Sequence, residues 1–451
     1  MLTALKAYYL IAALGLLLFT IFSNKTSLQA FAYGIALNIF PLAVMQEMSM
    51  DIARIAGMPL AYLPITSAGI AMALRNHTRL PRSYSLLLTL TIIYCVYSFF
   101  TTVILGGVTS ANIAYWLAWP LNFVIFFSAA AFFSRVDISA ANKAIKAVVT
   151  VLVMGCLVGV ARYVAGIGED ANFMPVMNRN GTVVLIVMIF PLLFYIYKED
   201  SKSRLWMFSC LACIAIALGL IFSRSGMIGF LAVIFLYSMR FTLSGLLKTM
   251  TAVLLVVVIA SSGIVDKSLQ RLQRVSVTAN MLMQGEDLNT NMNDYNRVML
   301  LKGALATAKD NFWFGTGLGL ENYRRGFHKA SDYAQDSKSH NFYISYFAEL
   351  GIAGFSLLLF ILILIFKKLS PLSSRHKAFR VSFLVMALMM TMNEYILLPE
   401  IWFFYGMLAG ISHLYGIDNH REALRPLLMP FQQGYPRQTS FNQITNRSLN
   451  G

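Results

Sequence analysis

Residues 84–105 read YSLLLTLTIIYCVYSFFTTVIL, 22 residues without a charge, preceded by Arg75, Arg79 and Arg82. As a helix rising 1.5 Å per residue this stretch is about 33 Å long, enough to cross a hydrocarbon core of about 30 Å. The pattern repeats outward from it. Apolar blocks near 4–22, 28–46, 58–74, 112–133, 144–165, 182–197, 205–222, 225–239, 246–265, 342–366, 380–398 and 401–416 alternate with polar connectors. In lipid, only helices and closed barrels satisfy their own backbone, and blocks of this length are helical. The fold class is therefore all-α, a polytopic integral membrane protein with about twelve transmembrane helices. The block at 58–74 is short and carries Pro59 and Pro64, so it is read as broken or re-entrant rather than as a thirteenth crossing.

Composition agrees. Of 451 residues, 58% are hydrophobic and 12% charged, against about 25% charged in an ordinary soluble domain, which excludes a water-soluble enzyme. A net charge of +16 would suit nucleic acid, but no basic stretch carries the interleaved aromatics or fold motif that such binding needs. Lys and Arg gather instead in alternate connectors, at 75–82, 135–146, 198–204, 240–248 and 367–380, which places these on the cytoplasmic side. The connectors at 106–114 and 398–401 contain neither residue. The N-terminal block lacks a small-residue cleavage pattern and is read as an uncleaved first span. Cys95, Cys156, Cys210 and Cys213 all fall within apolar blocks, which argues against a disulfide framework or zinc site.

Four regions follow. Residues 1–265 carry helices one to nine or ten, 266–340 form a large outer loop, 341–416 hold the C-terminal helices, and 417–451 make a polar, unstructured cytoplasmic tail. The loop holds ten of the 36 Lys and Arg and eight of the 20 Asp and Glu. Within it, Asn296 to Asp310 sets Val298, Leu301, Leu305 and Ala308 on one face at helical spacing, with Asp294 as a candidate N-cap, and an amphipathic helix is expected. Phe312, Trp313 and Phe314 suit a membrane interface. The turn Gly315-Thr-Gly317-Leu-Gly319 lacks the preceding strand of a nucleotide fingerprint.

Several residues could carry chemistry. His340 with Asn341 stands where the loop re-enters the membrane; such a His is more often structural, but neutral imidazole near pH 7 is a suitable base, and Asn341 is a candidate substrate contact. Arg224, between two apolar blocks in Ser223-Arg224-Ser225-Gly226, either snorkels to headgroups or presents its planar fork of donors to phosphate. Arg297 is either a solvated helix-end charge or a second such contact. Arg162 and Arg179 lie in an outer connector with Asn178, Asn180 and Gly181 and are candidate secondary anion contacts. No Asp-x-Asp occurs, and the pairs Glu169-Asp170 and Glu286-Asp287 are read as solvated loop charges. Glu394, in an apolar block, is read as the partner of a buried cation ahead of a base.

With these residues in view, the chain resembles the O-antigen ligase family, which is grouped with the O-antigen polymerases among polytopic sugar transferases of GT-C-like architecture. In that family a His followed by Asn, Ser or Gln, nine residues and Gly-x-x-Gly closes a large helical periplasmic loop. Here His340-Asn341, FYISYFAEL and Gly351-Ile-Ala-Gly354 fit that pattern. Arg297-Val-Met-Leu-Leu301 fits the family's Arg-x-x-x-Leu element, and Arg224 occupies the place of an outer arginine that follows a span. The resemblance is strongest from Arg224 to Gly354.

It implies transfer of a polysaccharide from undecaprenyl diphosphate to a lipid A-core sugar, with inversion, at the periplasmic side of the bacterial inner membrane. It implies no metal, nucleotide sugar or other cofactor. His340 would be the general base, and Arg224 with Arg297 the diphosphate clamp. The partners implied are the lipid-linked glycan donor, the lipid A-core acceptor and membrane lipids, not nucleic acid. A polymerase using the same donor is the alternative. A transporter is disfavoured, because polarity is concentrated in one outer loop and the two halves show no internal repeat.

Overall fold

The computed structural model describes residues 2–22, 54–55, 58–59, 63–76, 80–165, 179–221, 224–238, 292–331, 338–370, 376–392 and 394–432. The expected spans at 28–46 and 246–265, both acidic pairs and the end of the tail lie outside these residues. The described helices are α1 (Leu2–Phe22), α2 (Leu63–Asn76), α3 (Ser85–Thr101), α4 (Ser110–Phe133), α5 (Ile138–Val164), α6 (Arg179–Glu199), α7 (Arg204–Ile221), α8 (Arg224–Ser238), α9 (Met292–Asp310), α10 (Leu320–Ala330), α11 (Phe342–Lys368), α12 (Ala378–Met389) and α13 (Pro399–Gln432). A 3-10 turn at Arg82–Tyr84 and a π turn at Thr102–Gly106 extend α3 at its two ends.

The chain is an all-helical polytopic membrane protein. Among the described residues, Arg82–Gly106, Ser110–Phe133, Ile138–Ala161 and Phe342–Lys368 are long and apolar enough to cross a membrane. Ala7–Phe22, Arg204–Leu218, Ile228–Tyr237 and Ala378–Met389 are shorter apolar helices. The block at 58–74 begins with a two-residue antiparallel pair, Arg54–Ile55 against Met58–Pro59, and turns helical only at Leu63.

Two blocks have different limits from those expected. The block at 380–398 is helical only to Met389 and ends in a turn with a 3-10 segment at Tyr395–Leu397. Pro399 then opens α13, at the position where a missing N–H is no loss, and α13 runs past 416 to Gln432.

Packing follows side-chain size. Gly406 and Gly410, four residues apart on α13, face the backbone of α4: a Cβ at Gly406 would stand 2.3 Å from the Phe126 carbonyl oxygen, and one at Gly410 2.6 Å from that of Ala130. Small residues at this spacing let two membrane helices approach closely enough for dispersion to act along their length. Beside this seam Trp402 meets Phe123 and Trp119 edge-on, at 4.9 Å and 5.8 Å between ring centroids. Helix α6 is buried on every side from Val183 to Phe190, so it is a central helix with neighbours α5, α7, α8 and α12.

Helix α9 corrects two expectations. It starts at Met292, so Asp294 lies inside it and is not its N-cap. Its buried stripe is Leu300, Gly303, Ala304, Thr307 and Ala308, whereas Leu305 is exposed. The small residues face inward because α10 presses Phe327 against them, and the larger leucine is left outside. A Cβ on Gly303 would lie 2.2 Å from that ring.

Helix α11 is interrupted at Gly351, whose φ of 63° and ψ of −178° no helix contains. A break leaves carbonyls and N–H groups without helical partners, which lipid does not satisfy. The segment after α9 supplies them. Thr316 and Gly317 donate N–H to the Ala348 and Glu349 carbonyls at 3.0 and 2.9 Å, and the Phe312 carbonyl accepts from the Ile352 N–H at 2.7 Å. Close approach is possible because both strips lack a side chain where they touch: a Cβ on Gly315 would meet the Glu349 carbonyl at 2.2 Å, and one on Gly351 the Trp313 carbonyl at 2.4 Å. The two glycine motifs of the sequence are one interlock.

This interlock pins Phe312, Trp313 and Phe314 beside the break, with 43%, 68% and 59% of their surfaces exposed. Gly351 lies about 24 Å along α11 from Lys367, near one boundary of a core of about 30 Å. Trp313 is therefore expected to touch lipid. In bilayers brominated near the headgroups, tryptophan quenching should fall clearly in Trp313→Phe, since of the other four tryptophans Trp119 and Trp402 are buried and Trp116 and Trp206 half-buried; equal quenching in the two proteins would reject this placement.

Candidate active site

His340 stands one residue before the N-cap of α11 and has a left-handed φ of 57°, the one non-glycine residue with positive φ among those described. His tolerates this region better than most side chains, but a residue held there is fixed by its surroundings. The bonds that fix it run along the turn. The Asn341 side-chain oxygen accepts from the Ile344 N–H at 3.1 Å, capping α11. The Phe342 N–H bonds the Met390 carbonyl at 3.0 Å, tying the turn to the end of α12. The carboxylate of Glu394 faces the His340 backbone.

Glu394 accepts from the Ser345 hydroxyl at 2.5 Å. Ser345 has a single proton, so the 2.8 Å contact between Ser339 and Ser345 is donated by Ser339. Glu394 lies in the turn between α12 and α13. Burial pushes its carboxyl up to about 7, against the opposing pull of the nearby Lys338 charge.

Lys338 makes the ion pair of this site. Its ammonium is 2.7 Å from Glu349 Oε1 and 2.5 Å from the Tyr115 hydroxyl, and lies over the rings of Tyr115 and Tyr346 at 4.3 and 5.0 Å. The two hydroxyls are 2.8 Å apart. Burial alone would lower the Lys338 pKa, but the negative charge of Glu349 and its other acidic neighbours outweighs it, and the group stays cationic. Glu349 Oε1 also accepts the Gly319 N–H at 3.3 Å, which brings the glycine turn into the same cluster.

Of the residues singled out by sequence, the structure brings His340, Asn341 and Arg297 together. Arg297 is exposed on α9. Its charge, second to enclosure of the ring by neighbouring protein, holds the His340 imidazole below its usual range although the residue is open on one side. Asn341 caps α11 through its side-chain oxygen. Arg224 is the first residue of α8, Arg179 the first of α6, and Arg162 lies near the end of α5; their side chains lie outside the described residues. Glu394, expected from its place in an apolar block to partner a buried cation, has one close by. The cation is Lys338, and its direct partner is Glu349.

Lys338, Glu349 and Tyr115 were missed. Glu349 carried the same signal as Glu394, an acid in an apolar block, which lipid disfavours unless a cation meets it. Nothing in the order of residues paired it with Lys338 or Tyr115. His328, the other loop histidine, lies exposed near the end of α10.

Residues 209–359 match the family described as O-Antigen ligase. The matched segment runs from within α7 past Arg224, Arg297 and His340 into α11, and over it the chain is similar to that family. No curated protein matches the chain.

Proposed function

We propose that the protein is a membrane glycosyltransferase that moves a preassembled polysaccharide from undecaprenyl diphosphate to a sugar of the lipid A core, on the periplasmic face of the bacterial inner membrane. The observation that carries this reading is His340, held in a strained turn beside Arg297 within the segment that matches O-antigen ligases. The acceptor hydroxyl oxygen attacks the anomeric carbon on the face opposite the diphosphate. The bond from that carbon to the carrier oxygen breaks, and its electron pair leaves on the phosphate. The hydroxyl proton passes to the imidazole, and the anomeric configuration inverts.

The diphosphate is a good leaving group once its developing charge is met by fixed cations. Arg297 with Arg224 supplies them in this scheme, while Asn341, Arg162 and Arg179 contact the glycan or its phosphates. Deleting the gene tests the reading. Lipid A core without attached polymer is expected. Core bearing a single repeat unit would instead make the protein a polymerase using the same donor and overturn the acceptor assignment.

A further inference from the structure

We infer that Lys338, gripped by Glu349 and Tyr115, is a positioning residue that holds the His340 turn in its working geometry. The inference rests on the reading of His340 as the base. An ammonium has three donors and no acceptor. Here two reach Glu349 and Tyr115, and the charge sits against two aromatic faces. One group thereby joins α4 through Tyr115, α11 through Glu349 and Tyr346, and the glycine turn through the Gly319 N–H.

Lys338 is two residues before His340, so it anchors the upstream flank of the turn, while the Asn341 cap and the Phe342 bond to Met390 anchor the downstream flank. Between them His340 has little freedom to leave its left-handed backbone. Only 13% of the Lys338 side chain and none of the Glu349 side chain is exposed. A buried ion pair is a poor source of stability, because desolvation offsets most of the attraction, and its best-supported use is to fix one arrangement over others. Catalysis is sensitive to such fixing, since misplacement of a reacting group by about 1 Å can lower a rate about 100-fold.

The test uses the full chain, purified and reconstituted, with lipid-linked polysaccharide as donor and rates expressed per folded protein by size-exclusion chromatography. Lys338→Met should lower kcat by roughly 10- to 100-fold while the donor KM stays within about threefold, because the phosphate contacts lie elsewhere. Tyr115→Phe keeps the ring and removes one oxygen, and should lower kcat by about 5- to 10-fold, the loss of the charge-assisted hydrogen bond from Lys338 and of the contact with the Tyr346 hydroxyl. If Lys338→Met fails to fold, Tyr115→Phe decides by the same split. Turnover within twofold of the unmodified protein in the folded variants, or a loss confined to KM, would overturn the inference. An active His340→Asn would sink the base assignment itself, whereas an inactive His340→Asn beside active Lys338 and Tyr115 variants would sink only the positioning role.

Discussion

Replacing His340 with Asn should lower the transfer rate by about 100-fold or more, the usual share of a general base, while the protein stays folded. Asn is the informative substitution because it accepts a left-handed backbone, so the φ of 57° survives while the base is lost. Alanine would disturb both. The pH profile sharpens the test. A base works in its neutral form, and a pKa held below the usual imidazole range keeps that form populated at lower pH. The acid limb of kcat/KM should therefore lie below that of an ordinary histidine. Arg297→Gln removes one of the two causes of the depression, so the limb should move to higher pH whatever happens to the maximum rate. Near-normal transfer by His340→Asn would remove this residue from the mechanism, and an unmoved limb in Arg297→Gln would separate the two residues.

Gly351→Ala should be severely damaging for a single added methyl. The backbone at Gly351 combines positive φ with extended ψ, a region that is essentially glycine's alone, and forcing another residue there costs about 1–3 kcal/mol. The added carbon would also stand 2.4 Å from the backbone of Trp313 and Phe314, where no rotamer change relieves the overlap, and overpacking adds about 1–3 kcal/mol. Either the break in α11 closes or the segment 312–317 lifts away, and each outcome leaves backbone groups unpaired in lipid. The expected result is a sharp fall in the yield of folded protein, with a lowered midpoint of thermal aggregation in what remains. Gly354→Ala meets the Tyr97 ring rather than backbone, and a ring can turn aside, so its effect should be smaller. Equal midpoints for Gly351→Ala and the unmodified protein would show that the interlock does not hold the site.

Much of the architecture was legible because lipid imposes a local rule. A stretch such as 84–105 must pair its own backbone groups, so length and apolarity were enough to make it a helix. The limits of α9 and α12 were less legible. On α9 the apolar periodicity pointed to Leu301 and Leu305, but α10 selected the face with glycine and alanine because Phe327 needed room. The 380–398 block looked continuous because Leu397 and Leu398 are as apolar as a span, although they belong to a turn.

The candidate site divides in the same way. His340, Asn341 and the paired glycines could be read in order along the chain, since the motif binds neighbours and a helix cap reaches only three residues ahead. Lys338 meets Glu349 eleven positions on and Tyr115 at a separation of 223 residues, and no periodicity relates them. Sequence alone settled that this chain is a helical protein of the membrane, because backbone hydrogen bonding in lipid is satisfied within each segment. Which charges meet beneath His340 was decided only by tertiary packing, because a buried cation takes its partner from whichever helix the fold brings within about 3 Å.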